Sequence, residues 1–446
     1  MELLVYTRRI TPRVEYAFRF IFKDILRLNY RITTSITEAQ NYYGPILSYS
    51  HQQIGKSVQI IPHGLLTEDC IKHHSFEVID WKGIPAFPLT APDTETPFDI
   101  FSASFYLITR YEEYPKSISN LDKHSRFCSR DCLASKNKFL NLPVVDLWAF
   151  RLLEILRARN YSLSNKPRKF NQITTIDLDS AYAFKHKGII RVLLSAFKSV
   201  ITKGKPDFVK RFKVLAGLEP DPFDIYNNLY TILPGSPQTI WFVHAGKWGK
   251  YDKPIPISTP AMKALVGTLS EKYRVGIHPS YSSFMNEPKT REELADLVNA
   301  LDQAVACSRQ HYIRLRLPAS YRMLTKMGIT EDYSMGYPNT VGFRAGTCTP
   351  FVFYDLISEQ PVNLKVFPFQ VMDSIFVNEK ISPEKAREII LGLIEAVRRV
   401  DGTFISVWHV DYLSGYGQSD GWFSLLKDVL NDLNLGNGKN SSVKND

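Results

Sequence analysis

No apolar run in this sequence is long enough to span a bilayer, which excludes a membrane-crossing helix on length alone. Cysteine is scarce. The five residues Cys70, Cys128, Cys132, Cys307 and Cys348 are odd in number and irregularly spaced, so they describe no disulfide framework. Cys128 and Cys132 could stand one helical turn apart but lack a second ligand pair nearby, so all five cysteines are read as structural. The start of the chain lacks the uninterrupted apolar segment of a secretory signal. The expectation is a cytoplasmic protein, compatible with work at the inner membrane face. No internal repeat is visible, and the one low-complexity stretch is a polar tail after Leu435, expected to be disordered.

What is present fits a globular protein. Apolar residues make up 44% and charged residues 22% of 446, a length that suggests two domains rather than one core. The formal net charge is +10, which favours anionic surroundings, but the charges are spread along the chain. The densest basic run, Arg8, Arg9, Arg13, Arg19, Lys23 and Arg27, is interleaved with apolar residues at helical spacing. It reads as the wet face of a helix. No nucleic-acid motif accompanies it, so nucleic acid is not an expected partner.

The chain opens with a strand candidate, Leu3 to Tyr6. Thr11 can cap a helix with Pro12 in its first turn, followed by the apolar stripe Val14, Ala17, Phe18, Ile21, Phe22, Ile25 and Leu26. Arg31 to Thr34 reads as a second strand, and a helix is expected near Asp146 to Arg157. This first half, residues 1–165, reads as a smaller α/β domain without a catalytic constellation; His51, His63, His73, His74 and His124 are scattered through it. The polar, basic segment Asn160 to Asn171 makes a boundary.

From residue 170 to 435, strands and helices alternate. The strand candidates are Ile173–Leu178, Thr239–His244, Arg274–His278, Val305–Gln310, Val341–Ala345 and Thr403–His409. Thr290 with Glu293 suggests a capping box before one helix, and Ser382-Pro383 starts another that ends before Gly402. Such alternation implies an α/β fold built on a parallel sheet, open or closed into a barrel.

The chemistry gathers at the carboxyl ends of these strands, where open-sheet and barrel enzymes build their sites. Thr175-Ile176-Asp177-Leu178-Asp179 places two carboxylates on the same side of an extended chain. One can bind a cation while the other acts as a base, because the cation suppresses their mutual repulsion. A strand-end aspartate capping the next helix is the plainer alternative. His278 ends one strand and suits a metal; His409 ends another and suits a general acid. Arg309-Gln310-His311-Tyr312 follows a third.

These motifs, in this order, resemble the polysaccharide deacetylases of carbohydrate esterase family 4, the NodB-homology group, over roughly Gln172 to Leu433. The resemblance implies a distorted, TIM-like (β/α) barrel that removes acetyl groups from a glycan with a divalent metal, here expected to be zinc. It implies Asp177 as base and Asp179 and His278 as metal ligands. The family's second histidine is replaced by Ser282, and His311 is the expected substitute ligand. Arg309-Gln-His-Tyr resembles the third motif with His for Pro; Arg316-Leu-Pro318 competes for that match. Val407-Trp408-His409 resembles the last motif, with His409 as acid, and either Asp373 or Asp332 as its orienting carboxylate. Arg309 or Arg344 is expected to pair with Asp177, the backbone N–H of Tyr312 to support the oxyanion, and Tyr281, Tyr312 and Trp408 to line a sugar site. Alternatives in other classes are a glycan-binding protein on a degenerate barrel and a deacylase of a small-molecule amide.

Overall fold

A computed structural model describes residues 1–114, 121–159, 163–187, 205–417 and 420–439. The chain is a mixed α/β protein with parallel sheets, and it divides into two compact units. One comprises Met1–Asn171, Leu315–Gln370 and Gly392–Phe404; the other comprises Gln172–Arg314, Val371–Leu391 and Ile405–Asp446. Among the described residues no helix is long and apolar enough to cross a membrane.

The first unit begins with strands β1 (Leu3–Thr7), β2 (Tyr30–Thr33), β3 (Ile46–Tyr49) and β4 (Val58–Ile60), all parallel in the order β2-β1-β3-β4. The five residues of β1 are all buried, as a central parallel strand requires. Thr11 caps the helix Pro12–Arg19 by accepting from the Val14 N–H, and the chain continues into a π-helical stretch, Phe20–Ile25. Phe18 and Phe22 pack on Phe101 from the helix Ile100–Ile108. A short antiparallel pair, β5 (Ile79–Trp81) and β6 (Ile84–Ala86), precedes the helix Val144–Ala158. Arg13 departs from the expected wet face. It is 1% exposed, donates to both carboxylate oxygens of Glu359 and to the Leu65 carbonyl, and is therefore a buried ion-paired residue. Arg8, Arg9, Arg19, Lys23 and Arg27 are exposed.

The strands of the second unit begin with β7 (Asn171–Leu178), β8 (Thr239–Val243), β9 (Arg274–Ile277) and the two-residue β10 (Cys307–Ser308). The chain next supplies β11 (Glu331–Asp332), β12 (Phe351–Asp355) and β13 (Gln360–Val366) to the first unit, where β13 pairs with both others. It then returns with β14 (Val371–Met372) and β15 (Thr403–His409). The order in the second unit is β10-β9-β8-β7-β15-β14, and the registered pairs β7/β8, β8/β9, β9/β10 and β14/β15 are parallel.

Register positions the site. Leu178, Val243, Ile277 and Ser308 lie side by side across β7 to β10. The residues that follow them, Asp179, His244, His278 and Arg309, therefore emerge together at one sheet end. One row earlier, Asp177 stands beside Phe242, and Phe242 beside Gly276. A Cβ on Gly276 would sit 2.6 Å from the Phe242 ring and 2.8 Å from the Cys307 carbonyl oxygen. The missing side chain makes room for Phe242, over which the Arg309 guanidinium packs at 4.7 Å.

Four local expectations are corrected. Val341–Ala345 is not a strand: Gly342 has φ +123°, and the Phe343 N–H bonds the carbonyl of Leu140, far away in the chain. Strand pairing in Val305–Gln310 is confined to β10, because the chain turns at once into the loop bearing His311. The helix Glu287–Leu301 starts earlier than a Thr290/Glu293 capping box would have it. Asn286 caps it with Pro288 in its first turn, and Glu293 instead accepts from Ser280. The last helix, Trp422–Lys439, runs past the expected start of the polar tail, and residues 440–446 lie outside the described residues.

Candidate metal centre and active site

All site residues described in this paragraph belong to the second unit. Asp179, His278 and His311 present ligand atoms that all lie within 4.8 Å of one another. His278 Nε2 is 3.2 Å from Asp179 Oδ1, and His311 Nε2 is 3.3 Å from Asp179 Oδ2. Ligands bound to tetrahedral zinc at their usual lengths stand about 3.3 Å apart, so the donor set has the right type and spacing for such an ion. Asp179 Oδ1 is a sheltered oxygen with no hydrogen-bond partner among the described residues, an arrangement that a cation would satisfy.

Each imidazole is fixed by its other nitrogen. His278 Nδ1–H donates to the Arg309 carbonyl at 2.6 Å, which directs Nε2 at Asp179. His311 Nδ1–H donates to Asp252 Oδ1 at 3.0 Å. Asp252 is 2% exposed and also accepts from His244 Nε2, the Tyr281 N–H, and both the N–H and hydroxyl of Ser282. Such a carboxylate–histidine pair orients a ligating ring. His244 cannot itself ligate, since its Nδ1 accepts the Gly246 N–H and its Nε2–H is given to Asp252.

The charges are coupled. Burial opposes ionisation of Asp179, but His311 and His278 outweigh it and hold the carboxyl well below its usual range. Burial would lower His311, yet Asp179 and Asp252 push its pKa up to about 9. His311 is therefore an imidazolium at neutral pH, its Nε2–H directed at Asp179. Burial pushes His244 down to about 4 and keeps it neutral. Burial also opposes the ionised form of Asp252, but its bonds from His244 and His311 hold it far below the carboxylate range.

On the other side of Asp179 lies a second constellation. Asp177, 2% exposed, accepts from the buried Arg309 guanidinium at 3.3 Å. Its Oδ2 stands 3.7 Å from His278 Nε2 and 3.8 Å from His409 Nε2. His409 Nδ1–H donates to Asp373 Oδ1 at 2.5 Å, while the His409 N–H bonds Asp373 Oδ2 at 2.7 Å. Burial works against a charged His409, but Asp373 overrides it and holds the imidazolium well above the ordinary value.

The structure thus brings Asp177, Asp179, His278, His311, Arg309, His409 and Asp373 together. Of the two carboxylates considered for His409, Asp373 contacts it, whereas Asp332 accepts from Tyr321 and Ser334 in the first unit. Two expected residues stand elsewhere. Arg344 is in the first unit, with its guanidinium on Glu113 at 2.7 and 3.0 Å, and it does not serve Asp177. Trp408 is 1% exposed and donates to Ser406 Oγ; because β15 alternates, it faces away from the side that carries His409 and packs in the core. Tyr281 and Tyr312 are half-buried beside His311, their rings 5.2 Å apart. Tyr312 and Ile313 both have positive φ, 60° and 53°, an uncommon conformation for such side chains next to a site. Asp252 and His244 escape the sequence reading. The register that aligns His244 with His278 is the signal that would have found His244; Asp252 lies in an irregular loop and had none.

Comparison with known proteins adds little to this geometry. Residues 3–161 match a family described as "Family of unknown function (DUF7033)". No curated protein sequence matches. A solved structure titled "putative polysaccharide deacetylase from Mycobacterium smegmatis" is 13% identical, covering 60% of this chain and 85% of that one at a TM-score of 0.37.

Proposed function

We propose that the second unit is a metal-dependent deacetylase acting on an acetylated glycan. The observation that carries this reading is the convergence, at one sheet end, of a carboxylate–two-histidine donor set with a separate acid/base pair. Asp179, His278 and His311 are the residues that would hold the divalent cation, expected to be zinc. Such an ion polarises an acetyl carbonyl and makes water nucleophilic near neutral pH.

The remaining steps fall to the chain itself. Asp177 accepts the proton of the attacking water, and Arg309 donates to its other oxygen and holds it in place. His409, charged and oriented by Asp373, delivers a proton to the departing amine or alkoxide. The positive-φ backbone at Tyr312 is suited to turning its N–H toward the developing oxyanion. In fold terms the reading implies a sheet curved toward the distorted deacetylase barrel.

The test is acetate release. Protein loaded with zinc should release acetate from N- or O-acetylated oligosaccharides, lose this on chelation and regain it on metal return. Zinc-loaded protein that binds such oligosaccharides without releasing acetate would replace this reading with that of a glycan-binding protein. Release from small acetamides alone would replace the substrate class.

A further inference from the structure

The loop between β8 and the helix Pro260–Lys272 meets the centre through Asp252. Asp252 is buried against His244 and His311. Around it the loop carries Lys247, Trp248, Lys250, Tyr251 and Lys253. Trp248 is 57% exposed, and the three lysines are exposed as well. Tyr251 packs on Tyr281 at 4.2 Å and meets Tyr312 edge-on at 5.6 Å; the Tyr312 ring in turn lies 4.8 Å from His311. Three tyrosine rings therefore pack contiguously beside a candidate metal ligand.

Cations stand against these rings and against Trp248. Lys250 Nζ lies 5.1 Å from the Tyr251 ring, and Lys253 Nζ lies 5.0 Å from the Trp248 ring. The Arg314 guanidinium is held between Tyr281 at 4.0 Å and Phe284 at 3.9 Å. Lys289 reaches Ser282 Oγ at 2.6 Å. Glu292 pairs with Lys247, Glu287 with Arg291, and Glu293 is turned inward to Ser280. Asp252 is spent on the histidines.

Aromatic faces suit pyranose rings, and ammonium and guanidinium groups suit anionic substituents. The geometry points to an anionic glycan as the occupant: a sugar chain bearing carboxylate or phosphate groups, read by Trp248, Tyr251, Lys250, Lys253 and Arg314. This rests on the deacetylase reading for the site but not on turnover.

The experiment measures equilibrium binding by the full-length protein, followed by tryptophan fluorescence and calorimetry. The probes are an oligouronate, a phosphorylated oligosaccharide and a neutral chito-oligosaccharide of equal length. Wild type should bind an anionic probe at least tenfold more tightly than the neutral one in low salt, and this preference should shrink at high salt because exposed charges are screened. The double variant Lys250→Glu/Lys253→Glu should weaken anionic binding by roughly tenfold, more than it weakens neutral binding, and leave zinc stoichiometry unchanged. Trp248→Ala should weaken binding of all sugars. Equal binding of charged and neutral probes, or an unaffected double variant, overturns the inference. So does capture by anionic lipid vesicles without binding to either charged sugar. Anionic binding that persists in protein unable to release acetate would retain this inference and remove the catalytic one.

Discussion

Replacing Asp252 by Asn probes the part of the site that sequence motifs do not contain. Its carboxylate accepts five hydrogen bonds, two of them from imidazoles, and the one from His311 Nδ1 at 3.0 Å aims Nε2 at Asp179. An amide keeps one acceptor oxygen and turns an N–H toward groups that are themselves donors. Loss of an outer carboxylate typically costs a metal site 10- to 100-fold in affinity, about 1.4 to 2.8 kcal/mol. His311→Ala removes a ligand atom outright, and its loss should exceed about 100-fold. Ser282→Ala removes one of the five bonds to Asp252, and its effect should stay within about threefold. Competition of the metal-free protein against a fluorescent zinc chelator at neutral pH reads all three, with circular dichroism to confirm folding. The predicted order of loss is His311→Ala, then Asp252→Asn, then Ser282→Ala. An Asp252→Asn protein that binds zinc as wild type does, or a Ser282→Ala protein weaker than His311→Ala, would refute the reasoning.

Other outcomes follow from the same geometry. Because His311 carries its proton up to about pH 9, zinc binding at pH 7 should release about one proton from it, and apparent affinity should rise about tenfold per pH unit until that value is passed; calorimetry in buffers of different ionisation enthalpy measures this, and no proton release would contradict it. Asp373→Asn removes the group that holds the His409 pKa up, so the alkaline limb of the kcat–pH profile should move down toward the ordinary imidazole value of about 6.5, whereas an unmoved limb would exclude His409 as the acid. The same pair links stability to pH: the raised His409 pKa contributes fully below about pH 6.5 and is lost as pH climbs through the folded value, so wild type and Asp373→Asn should converge in Tm at alkaline pH. Gly276→Ala should cost about 1 to 3 kcal/mol in chemical denaturation, since its Cβ would meet the Phe242 ring and the Cys307 carbonyl; an unchanged midpoint would mean that the sheet can shift there.

The readable parts of the site are those governed by local period. β7 is an apolar run whose alternation sends Asp177 and Asp179 to one side, and both are found there. His278 and His409 end strands whose bounds are nearly those expected. Periodicity fails where long-range partners decide. Arg344 and Glu113 are 231 positions apart in the chain, and only folding shows that they hold each other. Arg13 sits in a helix-spaced basic run but is drawn inward by Glu359, a partner 346 positions away. The Val341–Ala345 segment has a strand's composition, and Gly342 at φ +123° turns it into a bend. Asp252 has no periodic signature at all, because an irregular loop brings it under His311.

The most direct test of the account is Asp177→Asn assayed for bound zinc and for acetate release in the same preparation. Asp177 touches Arg309 and faces His409 but is not among the three proposed ligands, so the variant should keep the wild-type zinc stoichiometry and lose turnover by more than about 100-fold, as befits removal of a general base. A variant that still releases acetate from acetylated oligosaccharides at the wild-type rate would contradict the assignment of the base, and with it the proposed use of the site.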